Sequence, residues 1–84
     1  LARAQSHFEQ ALELDPDYLE ALVNMGVVDM ERGHFQSGIS RLRHVLQLAP
    51  RSTLGHRVLI ELYTRTGAKE EVERLRQDLD ALTH

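Results

Sequence analysis

Two short segments with the same pattern decide how this sequence folds: ALELDP at residues 11–16 and VLQLAP at residues 45–50. Each places apolar residues ahead of a proline, Pro16 in the first segment and Pro50 in the second. Gly33 and Gly67 are separated by the same interval as the two prolines. A fixed period of about 34 residues predicts a repeat architecture.

Between these markers, apolar residues recur at spacings of three and four, which is typical of amphipathic helices. Glycine after such a run suits a left-handed helix end, proline stops a helix, and Ser52 or Thr53 can cap the helix that follows Pro50. No segment shows sustained alternation of apolar and polar residues. The sequence therefore predicts an all-α chain of five helices, at about residues 1–14, 19–32, 36–48, 54–67 and 69–82.

The period divides residues 1–84, taken as one domain, into three parts. Residues 1–16 form the second helix of a truncated repeat, residues 17–50 a full repeat, and residues 51–84 a degenerate terminal repeat. Repeat arrays bury their cores by stacking neighbours. We therefore expect the chain to be part of a longer array.

Composition narrows the classes of function. Eighty-four residues give a small core, and the absence of cysteine excludes disulfides and thiolate metal sites. No apolar run approaches the roughly 20 residues of a membrane span, and no signal-peptide pattern opens the chain. We expect a soluble module without membrane insertion. The compartment stays open, with cytoplasm favoured slightly over periplasm.

The repeated pattern resembles the tetratricopeptide repeat, whose motif runs W-x2-L-G-x2-Y…A-x3-F…P. In the middle repeat the seven motif positions are occupied by Leu22, Met25, Gly26, Asp29, Gly38, Leu42 and Pro50. The opening half-repeat matches with Ala4, Phe8 and Pro16. In the last repeat the positions hold His56, Leu59, Ile60, Tyr63, Val72, Arg76 and His84, which is a weaker match.

The resemblance implies a right-handed superhelical stack of antiparallel helix pairs, that is, a tetratricopeptide-like α-solenoid. In this family the two small motif positions let paired helices approach closely. Gly26 and Gly38 occupy them in the middle repeat, and Ile60 and Val72 in the last repeat. We expect the two branched residues to push the last helix pair apart.

The resemblance also implies a concave groove lined by the first helix of each repeat, where a protein or peptide partner binds. The matching positions in the middle repeat are Glu20, Val23, Asn24, Val27, Met30 and Glu31. Those in the last repeat are Leu54, Arg57, Val58, Glu61 and Arg65. An apolar floor with Asn24 and Arg57 as polar groups favours a protein-interaction scaffold. The carboxylate clamp of some relatives is rejected, because Leu54 and Val58 stand where its last Lys and Arg belong.

Two alternatives remain open. The opening helix lacks a partner for one face, on which Ala4, Phe8 and Ala11 lie by family analogy. That face favours self-association into a homo-oligomer. The second alternative is an accessory module that recruits substrates to a larger enzyme.

Charge is unevenly distributed, with five Arg and no acidic residue in residues 32–57. This segment could face an acidic partner or the acidic first helix of another copy, but a solvated surface is the simpler interpretation. Nucleic acid is disfavoured, because the segment has no interleaved aromatic residues to stack on bases.

No constellation for catalysis, metal binding or cofactor binding is visible. None of the five histidines forms a compact ligand set, and no phosphate-binding or nucleophile motif occurs. Asp29, at a usually aromatic position, is expected to pair with Arg32 or Arg41 if buried. His56, at the bulky first motif position, is expected to be partly buried. The sequence predicts no enzyme activity, no cofactor and no metal.

Overall fold

The computed structural model describes residues 18–83, which form four α-helices and, within that range, no strand. The helices are α1 (Leu19–Glu31), α2 (Phe35–Leu48), α3 (Thr53–Thr66) and α4 (Lys69–Thr83). The all-α prediction is confirmed for this part of the chain. Four helices are found rather than five, since the predicted helix at residues 1–14 lies outside the described residues.

The helix ends follow the predicted signals. Gly33 and Gly67 both have positive φ angles, 79° and 77°, a left-handed conformation that other residues adopt at a cost. Of the two candidate caps for α3, Ser52 is the one used: its Oγ accepts a hydrogen bond of 2.9 Å from the backbone N–H of Gly55. The left-handed glycine conformation therefore recurs at the turn of each helix pair, at Gly33 and at Gly67.

Each helix packs against the next helix along the chain, and α1 also packs against α3. Because the connections are short, consecutive helices run antiparallel. Neither α1 nor α2 packs against α4 over residues 18–83. This order of contacts is consistent with a helical repeat, in which each unit meets its neighbours only.

The core lies where α3 packs against both α1 and α2. Its most completely buried large side chains are Leu42 and Val45 from α2 and Leu62 from α3. α4 contributes a single buried residue, Leu75. The core is therefore concentrated around α2 and α3.

Gly26 and Gly38 lie where α1 and α2 approach most closely. A Cβ added at Gly26 would overlap Cδ2 of Leu42. A Cβ added at Gly38 would lie 3.1 Å from the carbonyl oxygen of Gly26 and 3.0 Å from Cδ2 of Leu62. The lack of a side chain at both positions lets the two backbones come together under Leu42.

Two polar residues are buried in this core. Asp29, 7% exposed, pairs with Arg41 through a 3.0 Å contact between Oδ2 and Nε, so Arg41 rather than Arg32 is its partner. His56 is 4% exposed, and its Nδ1 lies 2.7 Å from the carbonyl oxygen of Ser52. His56 is thus more deeply buried than the partial burial predicted from its motif position.

Candidate functional site

The packing of α1 against α3 creates a shallow cleft of about 250 Å³ at the amino-terminal ends of both helices. Four of the eleven predicted groove residues line it: Glu20, Val23, Asn24 and Leu54. Three residues that were not predicted complete the lining: Leu19, Val45 and Ser52. The cleft therefore joins the beginnings of two helices that belong to successive repeats.

The other seven lie outside this cleft, farther along α1 and α3: Val27, Met30, Glu31, Arg57, Val58, Glu61 and Arg65. Val27, Met30 and Val58 are half-buried, and Met30 and Val58 pack against the core. Arg57 and Glu61 are exposed. The predicted residues thus occupy α1 and α3, and their amino-terminal members line the cleft.

The floor of the cleft is less accessible than the sequence suggested. Val23 is only 8% exposed and belongs to the core. The accessible apolar surface comes from Leu54, which is 57% exposed, and from Leu19, which is 39% exposed. A bound molecule would therefore contact the rims of the cleft more than its floor.

Large apolar side chains are exposed near the ends of the first three helices, and two of them, Leu19 and Leu54, line the cleft. Within residues 18–83 they are Tyr18, Leu19, Leu48 and Leu54. All four lie at the start of α1, the end of α2 or the start of α3. We call these four residues the apolar edge. Helical periodicity assigns apolar residues to the core, so only a structure could separate the exposed residues from the buried ones.

The polar groups around the cleft are partly engaged within the chain. Asn24 donates from Nδ2 to the carbonyl oxygen of Glu20 at 2.7 Å. Its Oδ1 and the second N–H of Nδ2 are therefore the groups that it offers to a partner. Tyr18 donates its hydroxyl to Oε2 of Glu20 at 3.2 Å.

Farther along α3, the exposed residues Glu61 and Arg65 form an ion pair at 3.0 Å. Arg57 makes no ion pair with another described residue. A partner carboxylate would therefore meet Arg57 without first breaking an ion pair within residues 18–83.

The predicted self-association residues Ala4, Phe8 and Ala11 lie outside the described residues. Within residues 18–83, no group of three or more His, Asp or Glu side chains is placed to hold a metal ion. None of the described helices combines the length and hydrophobicity needed to cross a membrane.

No family model matches this chain. Among curated proteins, the chain is similar to "Protein CTR9 homolog" of Arabidopsis thaliana, with 29% identity over 86 residues. The match covers 99% of this chain and spans about 8% of the length of that protein. Residues 18–83 are thus all-α with packing consistent with a helical repeat, and the chain is similar along nearly its whole length to a short part of that relative.

Proposed function

We propose that this chain is a tetratricopeptide-like helical-repeat module that binds a partner protein or peptide on the concave side formed by α1 and α3. In this proposal the helix pairs continue a right-handed superhelical stack. The module acts by binding alone and catalyses no reaction.

The family assignment is supported by features that recur at the repeat period. Gly33 and Gly67 have the same left-handed conformation at equivalent positions of the two repeats. The small residues Gly26 and Gly38 lie at the close approach of a helix pair, as the resemblance implies. The contact of α1 with α3 is the contact that stacks one repeat on the next.

The observation that carries the binding proposal is the exposure of Leu19 and Leu54, the two residues of the apolar edge that line the cleft. Burying a leucine completely stabilises a complex by about 2 kcal/mol, so covering the exposed part of Leu54 would contribute about 1 kcal/mol. Leu19, which also lines the cleft, would add a smaller amount. Exposed apolar side chains that cluster in this way indicate an interaction site.

The polar groups of Asn24 and Arg57 would fix the orientation of the bound segment. Oδ1 of Asn24 can accept a hydrogen bond from a peptide N–H, since Nδ2 is bonded to Glu20. Arg57, one turn after Leu54 on α3, can meet an acidic side chain. The proposal therefore predicts a bound segment with an apolar residue at the cleft and an acidic residue beyond it.

To test this proposal, peptides are selected against the chain by phage display and their affinities are measured for matched variants. Leu54→Glu should weaken binding about tenfold, because it places a charge in the apolar contact. Gln36→Glu, which adds the same charge at an exposed position on α2, should leave the affinity unchanged. Equal affinity for both variants would contradict the concave site.

The two other functions remain predictions. Self-association through Ala4, Phe8 and Ala11 is tested by sedimentation equilibrium of the chain and of Phe8→Asp. A dimer that Phe8→Asp abolishes would support it, and a strict monomer would exclude it. A role in recruiting substrates to a larger enzyme requires a catalytic domain in the same protein, which the full-length sequence would reveal.

A further inference from the structure

A second concavity is lined by residues of α2, α3 and α4. Because α2 and α4 do not pack against each other, a groove of about 470 Å³ runs between them, with α3 beneath it. Its apolar floor consists of Leu46, Leu59, Tyr63 and Leu75. Leu59 and Leu75 are buried, whereas Leu46 and Tyr63 are half-buried and offer apolar surface to a ligand.

The two walls of this groove each carry an exposed arginine, Arg43 on α2 and Arg74 on α4. Neither arginine forms an ion pair with another described residue. Gln47 stands on the wall with Arg43, and Glu71 on the wall with Arg74. Two guanidinium groups that have no ion-pair partner among residues 18–83 therefore face one cleft from different helices.

We propose that the groove between α2 and α4 binds an acidic amphipathic segment of a partner protein. The apolar side chains of that segment would pack on Leu46 and Tyr63, and its carboxylates would pair with Arg43 and Arg74. The planar guanidinium group matches a carboxylate with two parallel hydrogen bonds. Charge complementarity and the apolar floor together require a ligand that is both acidic and apolar.

The composition of the groove favours a protein segment over a phosphorylated ligand. Glu71 is half-buried and is the one carboxylate among the described residues that line the groove. It would repel the dense charge of a phosphate more strongly than that of a carboxylate. The apolar floor adds nothing to the binding of a free anion but contributes to the binding of a peptide.

This site is independent of the cleft between α1 and α3, since the two share no lining residue. It uses Arg43 and Arg74, whereas the concave side uses Leu54 and Arg57. Failure of one proposal therefore leaves the other unaffected.

The test is an NMR titration of the isotopically labelled chain with a synthetic helical peptide of leucine, glutamate and alanine. Its leucines are spaced at i, i+3, i+4 and i+7, so that they form one face. Shift changes are expected at Arg43, Gln47, Tyr63 and Arg74. A twin peptide with glutamine in place of every glutamate should bind about tenfold more weakly, because it cannot form the ion pairs.

Some variants of the chain should lower the affinity for the acidic peptide, and one should raise it. Arg43→Gln and Arg74→Gln should each weaken binding about fivefold, and Glu71→Gln should strengthen it about fivefold by removing the repelling carboxylate. The gain distinguishes a binding effect from unfolding. Arg57→Gln, on the concave side, is the matched control and should change nothing.

Three outcomes would overturn the proposal: equal binding of the two peptides, unchanged affinity in the Arg43 and Arg74 variants, or shift changes confined to α1 and the start of α3. The last would place the peptide in the cleft of the proposed function. Equal displacement by inorganic phosphate would show that the groove recognises a bare anion and would also contradict the proposal.

Discussion

The two helix pairs of this chain share a pattern but are stabilised differently. In the first pair, α1 and α2 meet at Gly26 and Gly38, and α3 covers α2. In the second pair, the corresponding positions hold Ile60 and Val72, both half-buried. The first pair has a close backbone approach at its two glycines, whereas the second has branched side chains at the corresponding positions.

The outer face of the second pair also differs. Ile39, Leu42 and Val45, which α2 buries, correspond one repeat later to Glu73, Arg76 and Leu79 on α4. Two of the three apolar residues are thus replaced by charged ones, and the third is only half-buried. A charged face has little tendency to bury itself against another helix. The second helix pair therefore keeps the glycine turn of the first pair but lacks the apolar face with which α2 packs against α3.

The largest difference between the two pairs should come from Leu42 and its counterpart Arg76. Leu42→Ala should lower the free energy of unfolding by about 4 kcal/mol, because Leu42 is 0% exposed and its removal leaves a cavity. Arg76→Ala should change it by less than about 0.5 kcal/mol, as is usual at an exposed position. Urea denaturation measures both values, and similar losses would show that α4 is as well covered as α2.

A smaller effect is expected from Gly26→Ala. The added Cβ overlaps Leu42, which should lower the free energy of unfolding by about 3 kcal/mol. The higher helix propensity of alanine should raise it by about 1 kcal/mol. The net loss measured by urea denaturation should be about 2 kcal/mol, the difference between these two effects. Ser40→Ala, at an exposed position of α2, gains propensity without overlap and should not destabilise the chain. A more stable Gly26→Ala variant would show that α1 and α2 have room to separate.

The smallest expected difference is in the coupling free energies of two ion pairs, one in each region. Asp29 and Arg41 link α1 to α2 with side chains 10% and 32% exposed, whereas Glu61 and Arg65 lie on one helix with both side chains nearly half exposed. Double-mutant cycles should give a coupling of about 1.5 kcal/mol for the first pair and about 0.3 kcal/mol for the second. The first coupling should also resist added salt, since buried charges are less screened. Equal couplings would contradict the difference in burial.

Much of the fold could be predicted from the sequence, as particular residues show. Gly33, Gly67 and Ser52 act through local conformation, and each does in the structure what its residue type predicts. Asp29 is buried and paired, but choosing Arg41 over Arg32 as its partner requires the geometry of two helices. The site is harder to predict, because Val23 and Leu54 are both apolar at groove positions, yet one is buried and the other exposed.

The sequence by itself determined the repeat period, the helices at residues 19–83 and the turns between them, because periodicity, capping and glycine conformation are local properties. The tertiary structure alone decided which apolar residues form the apolar edge, how the cleft between α1 and α3 is lined, and that Arg43 and Arg74 face one groove. Those features depend on distances between residues far apart in the chain, and such distances arise only when the helices pack.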